Sequence, residues 1–477
     1  MEKISAQFSI HDNYQLEIKS IYPLDCDEKR SGYAMDMYFF FPRNLGMNSQ
    51  SISSADFYAD LQEYIRFKTP AVPLQELSDP GNRFFSRLQA SVEPLPRELK
   101  NFEKNLKMYC SIIRSSLRDG AGILKNAHSR GKNCSKRAAA YIADCEKTLE
   151  LLRGLRKKLP AKGHSAELFD LVDEYLSITV NGYLCDLYQA IPEEELSKKI
   201  AQATAREIKY RKNRNYPSVP EPGADNSELL YRESTLKKAM ASVLFLKVLT
   251  RRDGVMLENF FMGLAAAVAM IFVTAIAFLW QGMELGQFSA SFFMVWVIAY
   301  MFKDRIKSLL QGYFLSRRNL YTYDYRQKIC DGLGNTVGIF REGVRFCNAK
   351  DVEKEIFAIR GRTLLSRLEN GADEENVLIY RKKVDLSGTA CSEMFQQFSI
   401  NGIVNIQRLN VRRFLSKMDN PKRMVYYSDG KNLIPVKAHR DYHVNIVLRI
   451  RRSGRKDQFR RLRLTLCRNG IRRVEEL

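Results

Sequence analysis

The chain has 477 residues, 45% of them apolar and 27% charged. That is enough for two to four domains, with an average composition that does not by itself suggest a membrane protein. Its formal charge of +22 is uneven: residues 1–257 carry +6, residues 258–302 carry −2 and residues 303–477 carry +18, a balance that favours polyanionic partners such as lipid headgroups or nucleic acid. The nine cysteines are odd in number, scattered and without a CxxC spacing, which argues against a disulfide framework or a thiolate zinc site and for reduced thiols in a reducing compartment.

The first residues, Met1-Glu2-Lys3-Ile4-Ser5-Ala6-Gln7, lack a basic start followed by an apolar core. No secretory signal peptide is read, so the first apolar segment is expected to direct insertion itself. Residues 1–90 read as an α+β region. Tyr14, Leu16 and Ile18 alternate as a strand does, residues 35–41 (MDMYFFF) are a second strand candidate, and Ser53 or Ser54 is expected to cap a helix over 56–67.

Residues 91–212 read as a helical region. Leu95, Leu99, Phe102, Leu106, Tyr109, Ile113 and Leu117 recur at helical spacing, as do Ile142, Cys145, Leu149 and Leu152. A further helix is expected from Ser165, continued by a basic one over 197–212. Such stripes build bundles, so this region is the expected site for a protein partner or for self-association. Residues 213–227 hold three prolines and a glycine and read as a linker. The segment 228–252 is expected to be a helix leading to the membrane, within a block (228–320) that also holds two spans and a following helix.

The first span, 260–280, reads FFMGLAAAVAMIFVTAIAFLW without an ionisable group. Its 21 residues rise about 31 Å, the thickness of a hydrocarbon core. The second, 285–302, has a dense apolar core at 292–302 and a first half diluted by Gln287, Ser289 and Ser291. Lys247, Arg251 and Arg252 precede the pair, Lys303, Arg305 and Lys307 follow it, and the connecting turn holds only Glu284. Basic flanks mark the cytoplasmic side, so the expectation is a protein integral to the plasma (bacterial inner) membrane with both termini cytoplasmic. Gly263 and Ala267 form a small-xxx-small pair that lets helices approach closely, to pack on the second span or to drive homo-oligomers. Two spans after an α/β and long-helix region resemble in layout the CorA-type magnesium channels, which carry Gly-Met-Asn after the first span. Here the position reads Gly282-Met283-Glu284, and the 175 residues after the second span have no counterpart in that family, so the resemblance ends at layout.

Residues 321–477 read as a basic, β-rich cytoplasmic domain. Residues 377–380, 424–427 and 433–436 are strand candidates, with Asp429-Gly430 as a hairpin turn. Val444, Ile446, Leu448 and Ile450 alternate along one strand and Leu462, Leu464 and Leu466 along the next, predicting a hairpin with an aliphatic face and an arginine-rich face. Arg449, Arg451, Arg461 and Arg463 are the candidate residues for an anionic surface, and eleven cations fall within 449–473. Their repulsion calls for acidic side chains or a counter-ion partner. No aromatics interleave them, which disfavours nucleic acid.

The glycine-rich stretch 332–338 lacks the dinucleotide-binding spacing and reads as a turn. His439, Asp441 and His443 read as ordinary side chains rather than a metal site. No nucleophile elbow, HExxH or kinase set occurs, so no catalytic residue, metal or cofactor is assigned and an enzyme is disfavoured. The fold class expected is a multidomain α+β membrane protein, with an N-terminal α/β and helical cytosolic region, a two-helix transmembrane hairpin and a C-terminal β-rich basic domain. The function expected is a membrane-anchored cytoplasmic scaffold or regulatory protein whose basic domain contacts anionic lipid or an acidic partner. An oligomeric ion channel or transport component built on the hairpin is the alternative.

Overall fold

The structure is a computed structural model that describes residues 5–24, 30–95, 97–281, 290–332, 334–361, 375–388, 394, 396–452 and 454–477. In chain order its elements are β1 (Ser5–Asp12), β2 (Gln15–Pro23), β3 (Arg30–Phe41), α1 (Ser54–Ala59), β4 (Leu61–Phe67), α2 (Leu74–Leu77), α3 (Arg83–Ala90), α4 (Leu99–Ser129), α5 (Ser135–Leu155), α6 (His164–Ala190), α7 (Glu194–Asn213), α8 (Ser227–Ala241), β5 (Lys247–Arg252), α9 (Val255–Gln281), α10 (Ala290–Tyr321), β6 (Tyr325–Cys330), β7 (Thr336–Asn348), α11 (Lys354–Arg360), β8 (Asn376–Ser387), β9 (Gly402–Asn410), α12 (Arg412–Leu415), β10 (Lys422–Ser428), β11 (Leu433–His439), β12 (Tyr442–Arg452), β13 (Gln458–Cys467) and β14 (Gly470–Glu476). Contacts divide the chain into two compact units. One comprises Met1–Ile65, Lys247–Ala390 and Asn405–Leu477; the other comprises Arg66–Leu246 and Cys391–Val404.

The first unit is built on an eight-stranded sheet, order β14-β13-β12-β3-β8-β7-β6-β5, together with a four-stranded sheet, order β1-β2-β9-β4. The N-terminal β3 therefore lies between β12 and β8 from the C-terminal half. Residues 1–90 and 321–477 do not form the two separate regions that their order in the chain suggests. The cause is visible in β3. Met35, Met37, Phe39 and Phe41 enter one core with Leu16 and Ile18 of β2 and with the aliphatic faces of β12 and β13. Tyr38 and Phe40 enter a second core with Val377, Ile379, Val447 and Ile356 of α11. A strand apolar on both faces belongs in the middle of a sheet covered on both sides.

Two expected helices change type. Ser53 caps α1 in a reciprocal box with Asp56, but the helix stops at Ala59. Residues 61–67 then form β4, which buries Ile65 and Phe67 in line with their β preference. Helix α8 stops at Ala241, and residues 247–252 pair with β6 as an edge strand. The hairpin signal at Asp429-Gly430 holds: β10 and β11 pair from Lys422↔His439 to Ser428↔Leu433, and Asp429 Oδ1 accepts the backbone N–H groups of Lys431 and Asn432. Strands β12 and β13 pair as the alternation predicts, their aliphatic faces buried.

Helices α9 and α10 fill the connection between β5 and β6. The register Arg252↔Tyr325 closes the strand pair, and Gly254, at φ +72°, turns the chain into α9 where a Cβ would stand 3.3 Å from Thr322. The helices run back to back, with Phe261 stacked on Phe314 at 4.9 Å and Ala265, Ala269 and Val273 buried. Among the described residues one helix, Val255–Leu279, is long and apolar enough to cross a membrane. The span expected at 285–302 begins outside the described residues, which resume with Ala290 of α10.

In the second unit α4 to α8 form a bundle around the predicted stripes, with Phe102, Leu106, Tyr109, Ile113, Leu149 and Leu152 all buried. A charged knot joins α5, α6 and α7. Arg153 donates to Asp173 at 2.8 Å and to both oxygens of Glu207, Tyr210 and Tyr216 donate to the other oxygen of Asp173, and Ser177 donates to Glu207 at 2.6 Å. Arg232 of α8 adds a two-pronged bond to Glu174. A closed knot of this kind fixes helix register more than it adds net stability. Tyr216 shows that the proline-rich stretch after α7 is tied down at its start.

Candidate functional site

On the face of β12 and β13 that carries the four arginines, Arg449 and Arg451 are paired with acids, whereas Arg461 has the like charges of Arg360 and Arg463 as neighbours. Arg461 lies opposite Val447, Arg463 opposite Asn445 and Arg449 opposite Phe459, so no two of these cations face each other across the strands. Arg449 binds Asp457 at 2.6 Å and Glu353 at 2.7 Å, and Arg451 binds the buried Asp36 at 2.5 Å. Burial pushes the Asp36 carboxyl upward, with Arg451 acting against it. Arg461 packs against Gly361 at the end of α11. Asp441 is held by Arg472 at 2.9 Å, and the His443 ring meets Thr465 at 3.3 Å.

A second basic array was not visible in the sequence, because its members lie far apart there. Register aligns Arg251 with Arg326, Arg326 with Arg341 and Arg341 with Lys383, one cation on each of β5, β6, β7 and β8. Arg341 is answered by Asp385 at 2.8 Å and by Asp253 at 3.9 Å. Arg251, Arg326 and Lys383 are exposed. Like charges at directly opposed positions destabilise a sheet unless something neutralises them. The row lies a few residues from the point where β5 turns into α9.

On the other face of the same strands is a buried triad. Glu342 of β7 and Lys382 of β8 are direct cross-strand partners. Lys382 is fully buried, donates to Glu342 at 2.7 Å and also binds Glu63, which β4 brings from the four-stranded sheet. Tyr380 Oη donates to Glu342 at 2.8 Å, Gln327 Nε2 to Glu63 at 2.9 Å and Gln407 Nε2 to Tyr380 Oη at 2.5 Å.

Two carboxylates share one ammonium, so the triad holds a surplus negative charge when all are ionised. Burial, and then the charge of Glu63, push Glu342 up to about 7. For Glu63 burial also acts upward, but Lys382 and the amide donors outweigh it and the net direction is down. Burial opposes the charge on Lys382, yet the two carboxylates hold its proton more firmly than usual. Beside this cluster Asp324, where α10 returns to β6, accepts from Tyr58 Oη at 3.1 Å and from the Val344 N–H at 2.8 Å. Tyr58 also packs edge-on against Tyr325 at 4.7 Å. The root of the helical pair is thus pinned to the sandwich core. Chemically, the triad is suited to holding or releasing one proton and to clamping two sheets.

The apolar surface of α9 is open. Only 17% of its most apolar stretch is buried against the protein, and Phe260, Met270, Ile271, Phe278 and Leu279 project freely, as do Phe293, Met294 and Met301 of α10. Gly263 and Ala267 also lie on the open side, with nothing within 4 Å of a Cβ built on Gly263. In helical line with Phe261, which stacks on Phe314 of α10, the buried residues are Ala265, Ala269 and Val273, offset by two positions from the pair singled out in the sequence. No family of known proteins matches this chain, nor does any curated protein or any solved structure.

Proposed function

We propose that this chain is a membrane-anchored cytoplasmic scaffold or regulatory protein, held by α9 and α10 inserted as a hairpin. The observation that carries the proposal is the open apolar surface of α9. A contiguous apolar area of that extent is costly in water, and a bilayer removes the cost. Two further features support it. The eight-stranded sheet combines strands from before and after the helical pair, and a hydrogen-bonded sheet is not divided by a bilayer; this favours both ends of the chain on one side. The cations Lys247, Arg251 and Arg252 before α9, and Lys303, Arg305 and Lys307 within α10 just after its apolar stretch, favour the cytoplasmic side.

The aligned row Arg251, Arg326, Arg341 and Lys383 extends the basic surface and suits anionic headgroups or an acidic partner. The helical unit is the surface proposed for a protein partner. Topology reporters fused separately to the two ends test the anchoring: both report the cytoplasm if the proposal holds, and reporters on opposite sides defeat it.

A further inference from the structure

Strands β10 and β11 form a two-stranded ribbon that pairs with no third strand among the described residues. Every residue of β10 is exposed, and β11 is exposed except for the half-covered Ala438. One face carries Val425, Tyr427, Ile434, Val436 and Ala438. The other carries Met424, Tyr426, Leu433 and Pro435 between Lys422 and Lys437. Tyr426 is 68% and Leu433 70% exposed. An isolated two-stranded ribbon is marginal in water, and this one shows apolar and aromatic groups on both faces. Its cations Lys422, Arg423, Lys431 and Lys437 outnumber its one acid, Asp429.

We propose that this ribbon docks on an anionic phospholipid bilayer, as a second membrane contact of the same chain. The proposal rests on the anchored reading given above. The two-sided exposure decides between occupants. A protein groove or a second copy covers one face, whereas a bilayer interface surrounds both. The net positive charge suits anionic headgroups and works against pairing two identical ribbons. Tyrosine is at home at the depth where apolar chains meet headgroups. The two open ribbon edges keep unpaired backbone groups, which holds the ribbon at that interfacial depth rather than in the hydrocarbon. Tethering by the hairpin makes the docking intramolecular, so modest affinity suffices.

The test uses the full chain in nanodiscs of neutral phosphatidylcholine, with or without phosphatidylglycerol. A polarity-sensitive dye is placed on Leu433→Cys in a Cys185→Ser background, with the Cys185→Ser chain labelled in parallel as the blank. In anionic discs the dye is expected to be shielded from aqueous iodide. A surplus of three cations gives roughly a hundredfold preference for anionic over neutral lipid, and Tyr426→Ser with Ile434→Ser abolishes the shielding. Both tryptophans, Trp280 and Trp296, lie in the helical pair, so their quenching by brominated acyl chains reports hairpin insertion separately. Tryptophan quenching with a dye equally accessible in detergent, neutral and anionic discs overturns the ribbon proposal alone. Shielding that needs two copies per disc overturns it in favour of self-association. Loss of tryptophan quenching overturns the anchored reading.

Discussion

Replacing Lys382 by Met is the sharpest perturbation of the sandwich. The substitution keeps most of the volume but leaves Glu342 and Glu63 facing each other without their ammonium. Removing one partner of a buried ion pair costs about 3–5 kcal/mol, because the remaining charge is uncompensated. Here two carboxylates lose the same cation, so the upper end of that range is expected at pH 8. At pH 5 Glu342, already held up to about 7, takes a proton and the penalty shrinks. Guanidinium unfolding of the detergent-solubilised chain, followed by tyrosine fluorescence and far-UV circular dichroism, measures both. The double variant Lys382→Met with Glu342→Gln removes the surplus charge at its source and recovers part of the loss at pH 8. A Lys382→Met chain within about 1 kcal/mol of the parent at pH 8 is below any value expected for a charge left buried and unpaired, and would refute the reasoning. So would a loss of equal size at both pH values.

The triad also fixes a sign for pH dependence in the unsubstituted chain. The folded state binds the Glu342 proton more tightly than the unfolded chain does, so the contribution of this group is greatest in acid. It declines as pH rises from the ordinary value of 4.5 through about 7 and levels off above, by on the order of 3 kcal/mol. Glu342→Gln should flatten the unfolding midpoint across that window, and a slope unchanged by the substitution counts against the assignment. In the helical pair, Ala269→Leu overpacks the contact with α10 and should cost about 1–3 kcal/mol. Ala267→Leu on the open side should leave thermal stability in detergent unaltered, and the reverse order would place the α10 contact on the wrong face. Helical rise sets a depth as well. From the stacked Phe261 and Phe314, eleven residues along α10 reach Lys303, level with Phe272 at about 16 Å along both helices. With Lys303 and Lys307 reaching toward the headgroups, the hydrocarbon begins near that level, so a spin label at Leu279 should lie about 10 Å inside it and one at Leu264 outside it. Equal depth for the two labels would contradict this placement.

What the sequence reveals here depends on whether a signal is local. The Ser53 cap, the Asp429-Gly430 turn, the helical stripe of α4 and the alternation in β12 and β13 each depend on neighbours a few residues apart, and each appears in the structure, although the helix that Ser53 caps ends at Ala59 rather than at Phe67. The sharing of one sheet by β3 and β12 does not follow from local pattern. Its trace is the apolar run from Met37 to Phe41, which announces a strand covered on both faces without naming its neighbours. Residues 61–67 and 247–252 look like helix continuations in sequence, because their strand character comes from partners in β9 and β6. The same limit governs the charged sites. Eleven cations within 449–473 are conspicuous, yet their acids Asp36 and Glu353 are distant in sequence, and the register that separates the arginines is a tertiary property. The row Arg251, Arg326, Arg341 and Lys383 and the triad Glu63, Glu342 and Lys382 have no sequence signature, since each member comes from a different strand. A lysine such as Lys382 within an otherwise apolar inward alternation, Leu378, Tyr380, Val384 and Leu386, is the one cue that points toward a buried charge.

Extraction of isolated membranes with alkaline carbonate tests the central claim most directly. A chain held by α9 and α10 within the hydrocarbon stays in the membrane pellet together with integral markers and is released only by detergent. Recovery of the intact chain in the carbonate supernatant would mean that the apolar surface of α9 is covered by protein rather than lipid, and would contradict the account.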